Sequence, residues 1–136
     1  MQKALAAGAL ALVSAATCLA LAPAASAAPD ACSTVTLKTG GNEGVGTTAN
    51  KSSTSSCNDL NLVYAHDAAG DGYDAYAGRL YHSSTGSWKT CDAGYIGVLD
   101  GSYAVDRYVL CTDVSDGTKF TVASKYDSGD TVKIVH

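Results

Sequence analysis

Beyond residue 27 no segment places apolar residues at i, i+3 and i+4, so no amphipathic helix is expected there. Nor does any later segment hold an apolar run long enough to span a bilayer. Basic residues are few: nine Lys and Arg against thirteen Asp and Glu give a formal charge of −4. That balance argues against nucleic acid or an anionic membrane as partner. Catalytic signatures are missing too. Neither G-x-S-x-G nor H-E-x-x-H occurs, and His66, His82 and His136 read as exposed polar positions outside any motif. The chain is therefore expected not to be an enzyme. Zinc would require close spacings such as C-x2-C, whereas Cys57 and His66, or His82 and Cys91, are too far apart. Asp67, Asp71 and Asp74, with Gly70 and Gly72 between them, are the best hint of calcium. They lack the EF-hand spacing and its closing Glu, and Asp and Gly populate plain turns for backbone reasons of their own. Neither a metal nor a cofactor is expected. Among thirteen acids nothing singles out a pair suited to glycoside cleavage.

What is present begins with an address. Lys3 supplies a positive n-region, Ala4 to Ala22 an apolar h-region, and Ala25-Ser26-Ala27 an A-x-A cleavage site. Residues 1–27 thus read as a secretory signal peptide and residues 28–136 as a single secreted domain. No membrane contact is expected after cleavage. The Ala-rich leader resembles those of exported actinomycete (Streptomyces-type) proteins. Four cysteines follow it: Cys32, Cys57, Cys91 and Cys111. An even count in an exported chain reads as two disulfides, for which three pairings exist. Cys32–Cys57 and Cys91–Cys111 are expected, since each pair is nearest in sequence and brackets a plausible hairpin.

Period-two alternation recurs along the rest of the chain. Residues 33–39 read as a strand with one wet face. Residues 40–56, rich in Gly, Ser and Thr, have almost nothing to bury and read as a long flexible loop or a weak edge hairpin inside the first disulfide. Leu60, Leu62 and Tyr64 share one face of the next strand, and residues 67–74 form a loop. The segment Ala75 to Val114 holds the single Trp and five of the eight Tyr residues. In it Arg79-Leu80-Tyr81 and Trp88-Lys89-Thr90 flank Ser83 to Ser87, a hairpin signal. Tyr95 to Leu99 is apolar on both faces, as for a central strand, and Asp100-Gly101 favours a tight reversal into Tyr108 to Val114. Cys91 and Cys111 would then lie on neighbouring strands. Phe120 and Val122, then Val132 and Ile134, point inward from the last two strands. The expected fold is all-β: a small antiparallel β-sandwich or barrel of about seven or eight short strands with two disulfides.

Eight Tyr and one Trp against one Phe is a biased aromatic set. Tyr buries a ring while keeping its hydroxyl wet, and both Tyr and Trp are enriched at recognition surfaces. Tyr73, Tyr76, Tyr81, Trp88 and Tyr103 lie at or near loops, and Arg79, Lys89 and Arg107 would complete a binding patch. Gly94-Tyr95-Ile96-Gly97, followed by Arg107-Tyr108 and Cys111, resembles the C-terminal portion of the small microbial proteinaceous α-amylase inhibitors. The resemblance implies an exported β-sandwich with two disulfides and a Tyr-rich surface. The family's inhibitory W-R-Y tripeptide is absent, because Trp88 is followed by Lys89-Thr90, so no inhibitory residue is carried over. These observations lead to the expectation of a secreted, non-catalytic, monomeric binding module, in one form an inhibitor of an extracellular hydrolase. The partner would be an extracellular protein or a polysaccharide. The alternatives are a carbohydrate or cell-wall binding module and a structural surface protein without a specific ligand. A planar row of aromatics would favour sugar, and a single protruding loop would favour inhibition.

Overall fold

A computed structural model of the chain describes residues 32–136. The expected signal peptide and its cleavage site lie outside the described residues. Ten strands and no helix occur among the described residues: β1 (Thr34–Lys38), β2 (Ala49–Asn50), β3 (Leu60–His66), β4 (Tyr73–His82), β5 (Ser87–Thr90), β6 (Ile96–Leu99), β7 (Gly101–Ser102), β8 (Val109–Cys111), β9 (Lys119–Ser124) and β10 (Thr131–Val135). All strand pairs are antiparallel and form two five-stranded sheets. The first runs β1-β10-β3, with β3 also pairing β7 and β8; the second runs β2-β9-β4-β5, with β6 also on β4.

Alternation decides what enters the space between the sheets. Leu37, Leu60, Leu62, Leu110, Val132 and Ile134 face it from the first sheet, and Tyr76, Val98, Phe120 and Val122 from the second. Each fully buried aliphatic side chain contributes about 1.5–3 kcal/mol. Both expected disulfides are present, Cys32–Cys57 and Cys91–Cys111. The partners of the second are not on neighbouring strands, as the sequence suggested. Cys91 follows β5 and its N–H donates to the Gly78 carbonyl of β4, while Cys111 is in β8, so the bond crosses from one sheet to the other. Gly78 makes room for it, since a Cβ there would collide with Cys111 Sγ.

Three other expectations are corrected. Asp100-Gly101 does not close a hairpin between 95–99 and 108–114. It carries the chain from β6 in the second sheet to β7 in the first, with Gly101 at φ 151°, a conformation that glycine adopts freely. Residues 95–99 are not a central strand either. β6 pairs with β4 at the sheet's margin, and Leu99 is 64% exposed. Residues 40–56 are not a loose loop. Gly40 bridges Ala123, the Gly46 N–H donates to Thr121 Oγ1, and Thr121 Oγ1 donates to the Thr47 carbonyl. This segment covers the outer face of the second sheet, which buries Ala77, Arg79, Thr121 and Ala123. Its many small residues let main chain lie against main chain: a Cβ at Gly46 would strike the Lys38 carbonyl.

Candidate binding surface

β4 is paired by β9 as far as Leu80, opposite Phe120, and β5 continues beside it to His82, opposite Ser87. Tyr81 to Trp88 therefore forms a hairpin arm beyond the last β4–β9 pair, with Lys119 at the start of β9 beside Tyr81. Ser83 to Gly86 close its tip, with Gly86 at φ 65° and the Thr85 N–H donating to the His82 carbonyl. Tyr81 and Trp88 are cross-strand partners, with ring centroids 5.3 Å apart and planes inclined by 56°. Lys119 from β9 sets its ammonium 5.7 Å from the Tyr81 ring centroid, a cation–π contact. All three side chains are at least partly exposed. Under the arm lie two adjoining hollows of about 370 and 360 Å³ that share Leu80 and His82. Lys89, Asp92 and the Cys91–Cys111 disulfide line the first, and Asp113 and the 115–118 turn wall the second.

Of the eight residues expected in one patch, the arm brings together Tyr81 and Trp88; Lys89, opposite Leu80, is on the arm's other face and lines the first hollow. The others are elsewhere. Tyr76 was expected near a loop but is 0% exposed, and its hydroxyl donates to Asp130 Oδ2 at 3.1 Å. Burial and the nearby Asp130 carboxylate drive the Tyr76 phenol far above its ordinary value. Arg79 is also buried, its guanidinium donating to the carbonyls of Glu43, Gly44 and Trp88, so it fastens the covering segment and is not available to a ligand. Tyr103 and Arg107 belong to the first sheet's margin. There the Tyr103 ring meets Tyr108 edge-on at 4.8 Å, Arg107 lies over Tyr108, and the Tyr103 hydroxyl donates to the Leu99 carbonyl. Tyr73 starts β4, about 26 Å from Tyr81 by strand rise. It is 44% exposed and pairs with the 63% exposed Tyr126, centroids 6.4 Å apart and planes 33° apart. Lys119 and Tyr126 escaped the sequence reading. Nothing local shows that β9 lies beside β4, and Tyr126 stands between β9 and β10.

The acidic loop serves the main chain. Asp67 accepts the N–H groups of Ala69, Asp71 and Gly72. Desolvation pushes its carboxyl upward, but these N–H groups outweigh it and hold the group below the usual range. Asp74 accepts from Ala75, Lys125, Tyr126 and Asp127, tying β4 to the turn after β9. Asp130 accepts from Ala68 and Tyr76, yet burial and the charges of Asp74 and Asp67 hold it above the usual range.

The histidines differ from one another. His66 contacts Asp100 at 2.8 Å in an exposed pair, and His82 is exposed on the arm. His136 was expected to be exposed but is buried, with its Nδ1 accepting the Ser52 N–H.

No known protein family, curated protein or solved structure matches this chain.

Proposed function

We propose that the protein is a secreted, non-catalytic binding module that engages an extracellular protein through the β4–β5 arm, as an inhibitor engages a hydrolase. The observation that carries this reading is the arm itself: a hairpin that extends beyond the last β4–β9 pair, presents Tyr81 and Trp88 together and is stapled at its base by Cys91–Cys111. Aromatic side chains held by a rigid element bind with little loss of conformational freedom. Tyr and Trp are also the residues that most often dominate interface energies. The two disulfides accord with an oxidising environment such as the cell exterior.

A pull-down tests this. The oxidised protein is immobilised and exposed at pH 7 to purified secreted proteases and amylases. Capture of one hydrolase with loss of its activity is expected, and Trp88→Ala should abolish it while leaving the melting temperature nearly unchanged. Capture that survives Trp88→Ala would reject the arm as the contact. A second reading rests on Tyr73 and Tyr126, whose exposed rings are the most nearly parallel of the four ring pairs and suit the faces of sugar rings. It predicts retention on chitin, cellulose or cell wall that Tyr126→Ala removes. A structural surface protein would be captured by none of these.

A further inference from the structure

After β10 the chain reaches His136, which is buried where four segments meet. Its N–H and carbonyl exchange hydrogen bonds with Ser33, just ahead of β1. The carbonyl also accepts the Ser52 hydroxyl at 2.6 Å, and Nδ1 accepts the Ser52 N–H at 2.9 Å. A main-chain N–H can only donate, so Nδ1 carries no proton and the ring is neutral. Phe120 of β9 packs against the ring at 5.2 Å. The neighbouring Lys51 has a fully buried side chain; its ammonium donates to the Ser52 carbonyl at 2.8 Å and lies 3.9 Å from Asp116. The Lys51 main chain in turn holds the turn after β8. Its N–H donates to the Thr118 carbonyl, and its carbonyl accepts the Gly117 N–H. That turn supplies Ser115 and Thr118 to the hollow beneath Tyr81 and His82.

We infer that the Ser52–His136 contact is an acid-released latch that controls the wall of the groove under the arm. Protonation at Nδ1 makes the acceptor a donor, facing the Ser52 N–H. It also sets a second positive charge beside buried Lys51. Ser52 loses its main-chain bond to the ring, which loosens residues 51 and 52 and, through the Lys51 main chain, the 115–118 turn. The charged side chains facing the ring are Lys51 from the 51–57 segment and, behind it, Asp116 from the turn; Phe120 and Ser33 bring no charge. Burial first, and the Lys51 charge second, hold His136 below the usual histidine range. The latch is therefore closed at neutral pH. The unfolded chain takes up the proton more readily than the folded latch does. Stability is thus full above the ordinary histidine value and falls as pH drops from there through the lowered one. As regulation of binding, the inference rests on the arm being the binding surface; as a latch, it does not.

Amide hydrogen exchange of the oxidised protein at pH 7 and pH 5 tests the latch without any partner. Protection factors, which already correct for the intrinsic pH dependence of exchange, should fall about tenfold or more at Ser52 and Gly117 on going to pH 5, while those in β4, β9 and β10 hold. In His136→Gln, which cannot titrate, they should be the same at both pH values. Constant protection at Ser52 in the native protein would overturn the latch. So would a fall spread evenly over all strands, or a pH-dependent fall that persists in His136→Gln. Failure of the pull-down at pH 7 bears on the arm alone, so the two ideas fail separately.

Discussion

Tyr76→Phe removes one oxygen from the centre of the protein, and its cost follows from where that oxygen lies. The Tyr76 ring is completely buried and packs in the core, so Phe keeps the apolar contacts. What is lost is the hydrogen bond from the hydroxyl to Asp130 Oδ2. Asp130 is itself 0% exposed and retains only the Ala68 N–H among the two groups that donate to its carboxylate. A hydrogen bond to a buried charged group is worth about 1.5–3 kcal/mol, so a loss of about 2 kcal/mol at pH 7 is expected. For a domain of this size that lowers Tm by about 10 °C, at roughly 4–8 °C per kcal/mol. The pH dependence carries further information. The folded state holds the Asp130 proton more tightly than the unfolded chain, because burial and the Asp74 and Asp67 charges raise its carboxyl above the ordinary value. Protonation of Asp130 thus favours folding as pH falls through the raised value towards the ordinary one. A protonated Asp130 no longer needs the Tyr76 donor, so the penalty of Tyr76→Phe should shrink over that interval. Urea unfolding of both proteins, disulfides intact, at a series of pH values reads it directly. A penalty below about 0.5 kcal/mol at pH 7, or one that does not change with pH, would refute the account of Tyr76 as a core donor to a buried carboxylate.

Three further outcomes are expected. The intact mass of the oxidised protein should be four hydrogens below the reduced mass, and replacing Cys91 and Cys111 together by Ala should cost about 3 kcal/mol in urea unfolding, since the bond closes a loop with a sequence separation of 20. Asp74→Asn should cost about 2 kcal/mol, because an amide accepts the four N–H groups gathered there less strongly and turns an NH2 towards some of them. Full stability of that variant would show that Asp74 does not hold the turn after β9 in place.

The candidate site was legible where chemistry is local. Ser83 to Ser87 between two alternating runs signalled the hairpin, and Trp88 opposite Tyr81 follows from its register. It was illegible where position depends on distant chain. Tyr76 and Tyr81 look alike in sequence, yet they fall on opposite faces of β4, and only the tertiary structure gives one a buried carboxylate and the other Lys119. Arg79 looked like a surface cation beside aromatics. It is buried because a segment some 35 residues earlier folds back over it, as the separation of 36 to Glu43 and 35 to Gly44 shows. His136 gave no signal at all, since its partners Ser52 and Phe120 come from other strands and loops.

Period-two alternation, Gly- and Asp-bearing turns and an even cysteine count were enough to determine an all-β fold with two disulfides. Each is a short-range property: strand faces repeat every second residue, turns are set by backbone conformation within a few residues, and each disulfide joins cysteines adjacent in the cysteine order. Which strands would be neighbours was left to the tertiary structure. Asp100-Gly101 has the chemistry of a hairpin turn and instead crosses between sheets, because β6 pairs with β4 while β7 and β8 both pair with β3, which leaves β6 and β8 in different sheets. Residues 40–56 have the composition of a loose loop and instead pack on a sheet, because their small residues let main chain approach main chain closely. Pairing between distant strands is decided by which arrangement buries the most apolar surface and satisfies the most main-chain groups at once. That is a property of the whole chain and is not written in any one stretch of it.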